Sequence, residues 1–316
     1  MANTSADKRR YLITGATGFV GANLLRRLVE LGKEVHILVR KSADTWRIND
    51  IISRVAVHTA DLNDFQGLKA VVTAVRPEII YHCAVHGGYS FQQDPFAIAQ
   101  TNFTGTLNLL QALADVKFHC FVNTGSSGEY GTKNHPMGEN DLLEPSTVYG
   151  VTKAAATLLC QAAGRQKKLP VISLRLFSPY GPYEEPSRLV PAVIGKCLHN
   201  QDIPLSTGKE TRDFIHIDDV IDCYLQVIDR GLPPGEIVNV CSGSQHTVSE
   251  IVCQAISITG SQSKPLYGAL PPREFDARFW VGDNSKAARL ISWRPKTTIA
   301  EGLAKTIAWH RSFYRC

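Results

Sequence analysis

The chain has 316 residues, of which 44% are hydrophobic and 20% charged, and its formal net charge at pH 7 is +5. The ordinary apolar fraction and the low glycine and proline contents exclude intrinsic disorder, a collagen-like repeat and a disulfide scaffold. The small net charge and the lack of a lysine- and arginine-rich run argue against nucleic acid as a partner, although a few basic side chains at one site could bind a small anion.

A chain of this length predicts two domains or one large α/β unit. The first ten residues are polar and no apolar run reaches the roughly 18 residues that span a bilayer, so we expect no signal peptide, no membrane partner and a cytoplasmic location. The eight cysteines form no CxxC pair and no metal-ligand spacing, which predicts reduced, mostly buried thiols and no bound metal.

Apolar segments alternate with helical patterns from the N-terminus, which is the order of parallel strands joined by crossover helices. Strands are predicted at residues 11–14, 34–39, 79–83, 118–124 and 171–177, with a third strand in chain order closing at Asp61 and Leu62. Helices are predicted at residues 19–31, 68–75, 95–113 and 148–164. The pattern therefore predicts an α/β fold, a Rossmann-type doubly wound parallel sheet with a smaller, mixed C-terminal substrate-binding region.

The regular alternation stops after Phe177, where prolines and a glycine cluster between residues 179 and 186. We therefore expect a dinucleotide-binding domain at residues 8–177 and a mainly substrate-binding domain at residues 178–316. An apolar-periodic stretch at 213–227 and a short strand at 236–240 predict that residues 213–240 return to the Rossmann sheet.

The first strand leads into a glycine turn, T-G-A-T-G-F-V-G at residues 14–21, which opens the first helix. Gly15 can make the tight turn, Gly18 lets the backbone approach a pyrophosphate, and Gly21 permits close packing of helix on strand. The N-terminus of the helix offers free N–H groups and a positive dipole end to the anion. This turn predicts a dinucleotide cofactor.

The second strand is followed by Arg40, Lys41 and Ser42. An acidic residue about twenty residues after the glycine turn would bind the ribose 2′-hydroxyl of NAD. Guanidinium and ammonium groups attract a 2′-phosphate instead, so the sequence favours NADP(H), with NAD(H) as the alternative. Asp61 either accepts a hydrogen bond from the adenine amino group or caps a helix, as Asp64 could.

Tyr149 and Lys153 stand four residues apart, hence on the same face of a predicted helix. An adjacent lysine favours the phenolate of a tyrosine and suits it to proton transfer near neutral pH. Ser126 and Ser127 follow the strand at 118–124, and ligands of such sheets bind at the carboxyl ends of strands. The sequence therefore predicts that Ser126, the glycine turn and Tyr149 converge on one crevice.

These motifs together resemble the extended short-chain dehydrogenase/reductase family, whose members modify nucleotide sugars. The resemblance spans nearly the whole chain and rests on TGATGFVG, HCA at 82–84, NFTGT at 102–106, GSSGEYG at 125–131, YGVTK at 149–153, LRLF at 174–177, RDFIHIDD at 212–219 and WRP at 293–295. It implies a catalytic triad of Ser126, Tyr149 and Lys153, with Lys153 also holding the nicotinamide ribose. It also implies a homodimer through a four-helix bundle, formed by the helix around 96–113 and the helix that starts at Tyr149.

The resemblance further implies cofactor contacts along the glycine turn, at the strand ends and on two helices. The residues are Gly15, Thr17, Gly18, Phe19, Val20, Gly21, Arg40, Asp61, Leu62, Ala84, Asn102, Tyr149 and Lys153. Asn102 would in addition support the active-site helix.

The expected partner is a nucleotide-diphosphate sugar. By resemblance Arg212 binds its diphosphate, and Arg273 is a candidate for the same group in a looser motif. Ser178 stands where the family often has an asparagine that contacts the diphosphate, and it keeps a hydroxyl but loses the reach of the amide. His86 either contacts the sugar, acts as an extra acid/base or is a loop histidine. The remaining substrate candidates are Ser127, beside the catalytic serine, and Arg188, in the proline-rich segment expected to cover the substrate.

The residues after Ser126 help to distinguish the reactions of this family. The 4,6-dehydratases carry an acid two places after the catalytic serine or threonine, often in a pair, whereas this chain has Ser127 and Gly128. Glu129 comes one position later, where strand alternation predicts that it turns away from the sugar. The fucose-synthase type has a cysteine in this loop, and none stands between Asn123 and Gly131.

Two reactions remain favoured. One is reduction of the C4 ketone of a nucleotide-bound 4-keto-6-deoxyhexose with Tyr149 as proton donor, supported by Arg40 and by a GSSxEYG pattern that resembles the GDP-4-keto-6-deoxyhexose reductases. The other is an NAD-dependent 4-epimerisation of the UDP-glucose type. A non-catalytic dinucleotide sensor is less expected, because such proteins usually lose the tyrosine or the lysine and both are present.

Overall fold

The computed structural model describes residues 8–271 and 278–314. Its strands are β1 Arg10–Thr14, β2 Glu34–Val39, β3 Ala56–Thr59, β4 Ile79–His82, β5 Cys120–Ser126, β6 Val171–Leu176, β7 Ser178–Tyr180, β8 Ile203–Pro204, β9 Thr211–Arg212, β10 Phe214–His216, β11 Glu236–Val240, β12 His246–Thr247 and β13 Pro265–Leu266. Its α-helices are α1 Phe19–Glu30, α2 Phe65–Val75, α3 Pro95–Ala99, α4 Gly105–Ala112, α5 Val148–Lys167, α6 Leu189–Leu198, α7 Ile217–Val227, α8 Val248–Thr259, α9 Ser285–Ile291 and α10 Ile299–Tyr314.

The chain divides into two compact units. Unit 1 comprises the described residues up to Glu129, together with Thr147–Arg175 and Tyr224–Val238. Unit 2 comprises Tyr130–Ser146, Leu176–Cys223 and the described residues from Asn239 onward. The assignment of cofactor binding to residues 8–177 and of substrate binding mainly to 178–316 stays a prediction.

Unit 1 is organised by a seven-stranded parallel sheet with the order β11-β6-β5-β4-β1-β2-β3. Strands buried on both faces of a parallel sheet are continuous apolar runs, as in β1 and β4, where Leu12, Ile13, Ile79 and Ile80 are fully buried. The order from β3 to β6 is that of the doubly wound dinucleotide-binding sheet, in which ligands bind where the strand order reverses. The predicted α/β class is confirmed.

Two helices of unit 1 begin at residues whose side chains cap the helix N-terminus. Asp64 accepts a hydrogen bond from the backbone N of Gly67 at the start of α2, and Thr147 accepts one from Gly150 at the start of α5. Apolar residues from α2, α4 and α5 pack with the sheet in one cluster that includes Leu68, Leu109 and Cys160. Packing against these buried faces fixes the strand ends relative to α5.

Two predicted elements differ from the structure. The third strand ends at Thr59 rather than at Asp61 and Leu62, because the chain turns there and the backbone N of Asp64 donates to the carbonyl of Asp61. The helix predicted over residues 95–113 is interrupted by a π-helical turn at Gln100–Thr104, between α3 and α4. The apolar spacing on either side is helical, so the pattern does not reveal the wider turn.

Unit 2 contains short strand pairs and helices. β7 pairs with β10 and β8 with β13 in parallel, and β9 pairs with β12 antiparallel. Within residues 213–240, β10 therefore pairs with β7, whereas β11 lies beside β6 in the seven-stranded sheet. Two apolar clusters of unit 2 pack around α6, α8 and α10, and a third includes Tyr130, Met137, Phe177 and Cys241. Across the described residues, every helix is too short or too polar to traverse a bilayer.

Candidate active site

The glycine turn packs against the end of β4. Gly15 has φ +72°, and a Cβ atom there would lie 2.5 Å from the backbone N of Ala84. A Cβ atom at Gly21 would collide with the carbonyl of Gly15. Gly18 is the N-cap of α1 and no side chain caps it, so the first N–H groups of α1 remain available to an anion. Only glycine fits at residues 15 and 21, and the turn with the uncapped start of α1 forms a backbone cradle suited to a pyrophosphate.

A cavity of about 340 Å³ lies at the carboxyl ends of β2 and β3. Its lining residues are Arg40, Lys41, Ser42, Thr59, Ala60 and Asp61. Asp61 accepts a hydrogen bond from the backbone N of Asn63 at 2.8 Å and does not cap α2, since Asp64 takes that role. The cavity thus combines two cations with a carboxylate.

Leu62, predicted among the cofactor contacts, is buried against α4. A Cβ atom at Gly105 would lie 3.0 Å from the Cβ of Leu62, and the Leu62 carbonyl accepts a hydrogen bond from Asn108 at 2.8 Å. The structure therefore places Leu62 in the packing between the end of the third strand and this helix.

A hydrogen-bond chain joins β1, β4 and the π-helical turn through His82. Thr106 donates its hydroxyl hydrogen to the Asn102 carbonyl at 2.6 Å, so it accepts from Nε2 of His82 at 2.9 Å. Nδ1 of His82 is then the acceptor for the Thr14 hydroxyl at 2.7 Å. Burial, and secondarily the charge of Lys153, lowers the pKa of His82 to about 3. The imidazole is thus neutral, with its hydrogen on Nε2.

Asn102 lies in the π-helical turn and binds two other segments. Its amide N donates to Thr152 Oγ1 of α5 at 3.0 Å and to the His86 carbonyl at 2.9 Å, while its amide O accepts from the His86 backbone N at 2.8 Å. Asn102 is 1% exposed. It therefore fixes α5 and the loop after β4 from the protein interior.

Ser126 and Tyr149 converge on Gly128. A Cβ atom at Gly128 would lie 3.4 Å from Oγ of Ser126 and 3.8 Å from the ring of Tyr149. Ser126 Oγ accepts a hydrogen bond from the Gly128 backbone N at 3.1 Å, which leaves its hydroxyl hydrogen to be donated elsewhere. Tyr149 is half-buried.

Lys153 lies one turn further along α5 and is 3% exposed. Burial lowers the pKa of its ammonium group, and the negative charge of Glu129 acts in the opposite direction.

The side chain of Glu129 points into the interior, but the residue lies in the short 3₁₀ turn Ser127–Glu129 after β5, so strand alternation is not the reason. It is fully buried, pairs with Nε of Arg175 at 2.7 Å, and accepts hydrogen bonds from the Ser126 backbone N at 2.8 Å and from the Thr157 hydroxyl at 2.9 Å. No local sequence pattern identifies Arg175 as its partner, because the two residues are 46 positions apart. Ser127, which opens the short 3₁₀ turn before Glu129, is also buried.

Three of the substrate candidates lie in unit 2: Ser178, Arg188 and Arg212. Arg212 Nη1 donates to the Thr211 carbonyl at 2.7 Å, and its guanidinium lies 5.9 Å from the ring centre of Trp280, an aromatic neighbour that the sequence does not reveal. The backbone N of Ser178 donates to the Asp213 carbonyl at 2.9 Å.

Arg188 is the N-cap of α6 and lies 3.7 Å from a carboxylate oxygen of Glu184. Arg273 lies outside the described residues. The structure thus gathers Ser126, Tyr149 and Asn102 around one end of α5 in unit 1, whereas Arg188 and Arg212 belong to unit 2.

Comparisons with known proteins agree on the family. The chain is 28% identical to a UDP-glucuronate 4-epimerase of Thermodesulfobacterium geofontis, over 95% of this chain and 96% of that protein. It is also 28% identical to a dTDP-D-glucose 4,6-dehydratase of Homo sapiens, over 96% and 90% of the two chains. A solved UDP-glucose 4-epimerase of Thermotoga maritima with UDP-glucose is 25% identical with a TM-score of 0.89, over 96% of this chain and 99% of that one.

Residues 11–241 match the profile of the NAD dependent epimerase/dehydratase family. That span exceeds two thirds of the chain, and it runs from the glycine turn through the YGVTK and RDFIHIDD motifs. The resemblance to the extended short-chain dehydrogenases/reductases is confirmed, and the chain belongs to the NAD dependent epimerase/dehydratase family.

Proposed function

We propose that this protein is an NADP(H)-dependent oxidoreductase that reduces the C4 ketone of a nucleotide-diphosphate 4-keto-6-deoxyhexose. The observation that carries the proposal is the convergence of Ser126 Oγ and the Tyr149 ring on Gly128, with Lys153 buried one turn along α5. A hydroxyl that donates, a phenol that gives up a proton and a nearby ammonium are the groups that carbonyl reduction requires.

Each side chain has a distinct role in this reaction. Ser126 donates its hydroxyl hydrogen to the C4 carbonyl oxygen, since its lone pair already accepts from Gly128. Tyr149 gives its proton to the developing alkoxide, and the ammonium of Lys153 stabilises the phenolate that remains. When bound, the nicotinamide supplies the hydride to C4. The glycine turn and the uncapped start of α1 would hold the pyrophosphate of that cofactor.

The preference for NADP(H) rests on the cavity beside β2. Arg40 and Lys41 line it, and no carboxylate follows β2 directly to repel a 2′-phosphate. Asp61, on the other side of the cavity, is available to the adenine amino group. Paired guanidinium and ammonium groups favour a phosphate by charge-assisted hydrogen bonds.

Dehydration at C5 and C6 is disfavoured by the surroundings of Ser126. That reaction needs an ionisable acid or base beside the sugar. Ser127 and Gly128 supply none, and the carboxylate of Glu129 is fully buried and paired with Arg175.

The decisive experiment measures NADPH oxidation by the purified chain with a nucleotide-diphosphate 4-keto-6-deoxyhexose, with NADH run in parallel. Tyr149→Phe is expected to lower turnover by about 10³-fold, because general acid catalysis typically contributes that much. Its dinucleotide Kd should stay within about threefold of the wild type, since the phenol hydroxyl is a small part of that contact. Undiminished turnover in Tyr149→Phe would remove Tyr149 as the proton donor.

A second candidate is 4-epimerisation, which is favoured by the names of the related proteins. The relatives from Thermodesulfobacterium geofontis and Thermotoga maritima are 4-epimerases. In that reaction Tyr149 would first accept the proton of the C4 hydroxyl and then return it. Conversion of one nucleotide hexose into its C4 epimer, without net consumption of dinucleotide, would replace reduction by epimerisation as the activity.

We also propose a homodimer formed through the helices of unit 1. Large apolar side chains are exposed on α3, the π-helical turn and α5: Phe96, Phe103, Val148, Val151 and Leu158. These elements contact one another, and exposed apolar side chains on neighbouring elements are typical of an interaction site. Sedimentation velocity should give twice the chain mass, and Leu158→Glu should shift it to the single chain; a monomeric wild type contradicts the proposal.

A further inference from the structure

Glu129 is a buried carboxylate that has no role in the proposed reaction. Its two oxygens hold three groups: Nε of Arg175, the backbone N of Ser126 and the hydroxyl of Thr157. Burying a carboxylate is costly even when it is paired, and a buried pair is weak evidence for a stabilising role. The position of Glu129 between β5 and α5 indicates a role other than stabilisation of the fold.

The carboxylate joins the end of β5 to the inner face of α5. Thr157 is four residues after Lys153 and therefore lies on the same face of the helix. Ser126, whose backbone N the carboxylate binds, is the last residue of β5. Glu129 thus lies between the strand end that presents Ser126 and the helix face that presents Lys153.

The other titratable groups around Lys153 carry no negative charge at neutral pH. Burial raises the pKa of the Cys83 thiol to about 11 and that of the Cys160 thiol to about 12, and it lowers the pKa of His82 to about 3. Among the described groups whose charges act on Lys153, namely His82, Cys83, Cys160 and Glu129, only Glu129 is anionic.

We propose that Glu129 is a positioning residue that keeps the buried Lys153 in its ammonium form and thereby sets the pH at which Tyr149 exchanges its proton. This role rests on the proposed function of Tyr149 and Lys153. Arg175 binds the other oxygen of the same carboxylate, Oε2, whereas Ser126 and Thr157 bind Oε1. Without the carboxylate, the buried ammonium would lose its compensating charge and release its proton at lower pH. The phenolate of Tyr149 would then lose the nearby cation.

The test is a titration of tyrosinate by ultraviolet absorbance in the full-length chain. The contribution of Tyr149 is obtained by subtracting the titration of Tyr149→Phe in the same background. Glu129→Gln keeps the shape and an acceptor for Ser126 but removes the charge. We expect it to move the Tyr149 midpoint upward by roughly half a pH unit or more, the size of a nearby-charge effect.

Three further variants separate this role from a structural one. Arg175→Met breaks the ion pair but leaves the carboxylate beside Lys153, so it should not raise the Tyr149 midpoint. The double variant Glu129→Gln/Arg175→Met removes both charges, avoids an unpaired buried cation and should show the same upward shift as the single variant. Glu129→Asp restores the charge and should shift the midpoint less than Glu129→Gln.

An unchanged Tyr149 midpoint in the double variant overturns the proposal, as does an equal upward shift in Arg175→Met. Loss of stability in Glu129→Gln and Arg175→Met alike, with no difference in their Tyr149 midpoints, also overturns it. Failure of the proposed function would be recognised separately, as a wild-type chain that turns over no nucleotide sugar although its Tyr149 midpoint still responds to Glu129→Gln.

Discussion

Each unit contains a buried carboxylate, and the two units supply its binding partners in different ways. In unit 1, Glu129 pairs with the guanidinium of Arg175, a side chain on the adjacent β6. In unit 2, Asp213 accepts hydrogen bonds from the backbone N of Gly282 at 3.0 Å and from the backbone N groups and the hydroxyl of residues 242–243. In the first case the cation is a side chain of a sheet strand, and Ser126 and Thr157 add hydrogen bonds, whereas the second case requires two loops to be ordered together.

A second acid of unit 2 also binds backbone N–H groups rather than a cationic side chain. Asp219 accepts hydrogen bonds from the backbone N groups of Lys296 and Thr297 at 3.0 Å each. Its own carbonyl accepts from the indole N of Trp293 at 3.1 Å. Acidic side chains thus shape the loops of unit 2, which its strands of two or three residues cannot do alone.

The strongest test of this contrast is Arg175→Ala. It leaves Glu129 buried and unpaired, and we expect the free energy of unfolding to fall by about 3–5 kcal/mol. Urea unfolding measures the change, and hydrogen exchange should show lost protection in β5 and β6. As a matched control, Arg9→Ala breaks the exposed pair between Arg9 and Asp229 and should cost less than about 1 kcal/mol. Equal costs for the two variants would refute the distinction between buried and exposed pairs in this unit.

Asp213→Asn should have the next largest effect. The amide keeps the shape but replaces one acceptor oxygen with donors, so N–H groups such as that of Gly282 lose their partner; we expect a cost of about 2–3 kcal/mol. Hydrogen exchange should increase around residues 242–243 and 282 while the strands of unit 1 keep their protection. The control is Asp222→Asn, which alters a partly exposed pair with Lys296 at 3.8 Å. Full protection of both loops in Asp213→Asn would argue against the carboxylate as their organiser.

A third test is the pH dependence of unit 1 through His82. The pKa of His82 falls from 6.5 to about 3 on burial, so between these values the unfolded chain binds more protons than the folded one. The stability that neutral His82 contributes is complete above pH 6.5 and is lost as the pH falls, by about 1.4 kcal/mol per pH unit. His82→Gln retains a donor and an acceptor and should flatten this slope, as measured by hydrogen exchange in β1 and β4. An identical slope in the variant would exclude His82 as its source.

Asp213 gives the stability of unit 2 a pH dependence of the opposite sign. Burial raises its pKa from 3.8 to about 6, against the hydrogen bonds that lower it. Between these values the folded chain holds the proton more tightly, so this contribution to stability decreases as the pH rises through that range.

The features of unit 1 that depend on local pattern could be predicted from the sequence. The glycine turn and the alternation of strands and helices follow from spacing along the chain, whereas Glu129 lies in a 3₁₀ turn and not in the strand from which its direction was predicted. The π-helical turn at Gln100–Thr104 could not, because a single wide turn leaves the helical apolar pattern on each side intact. Nor could the partners of Glu129 and Asp213, which meet across tens of residues only after the chain has folded.

In the candidate site, the residue types predicted the chemistry but not the hydrogen bonds and turns that hold the side chains in place. The spacing of Tyr149 and Lys153 places both on α5, and the structure adds that Gly128 lies between Ser126 and the phenol ring. The hydrogen bond from Gly128 to Ser126 Oγ depends on the short 3₁₀ turn after β5, which no pattern predicts. The catalytic and binding roles of these residues stay predictions.

The π-helical turn at Gln100–Thr104 also makes the structure sensitive to the number of residues in this segment. A π turn holds about one residue more than an α turn, so deleting one residue there would restore an unbroken α-helix and rotate one flank relative to the other by about 100°. The amide of Asn102 could then no longer reach Thr152 while Ile98 stays in the core. We therefore expect the length of this segment to be less tolerant of change than the identity of its solvent-facing side chains.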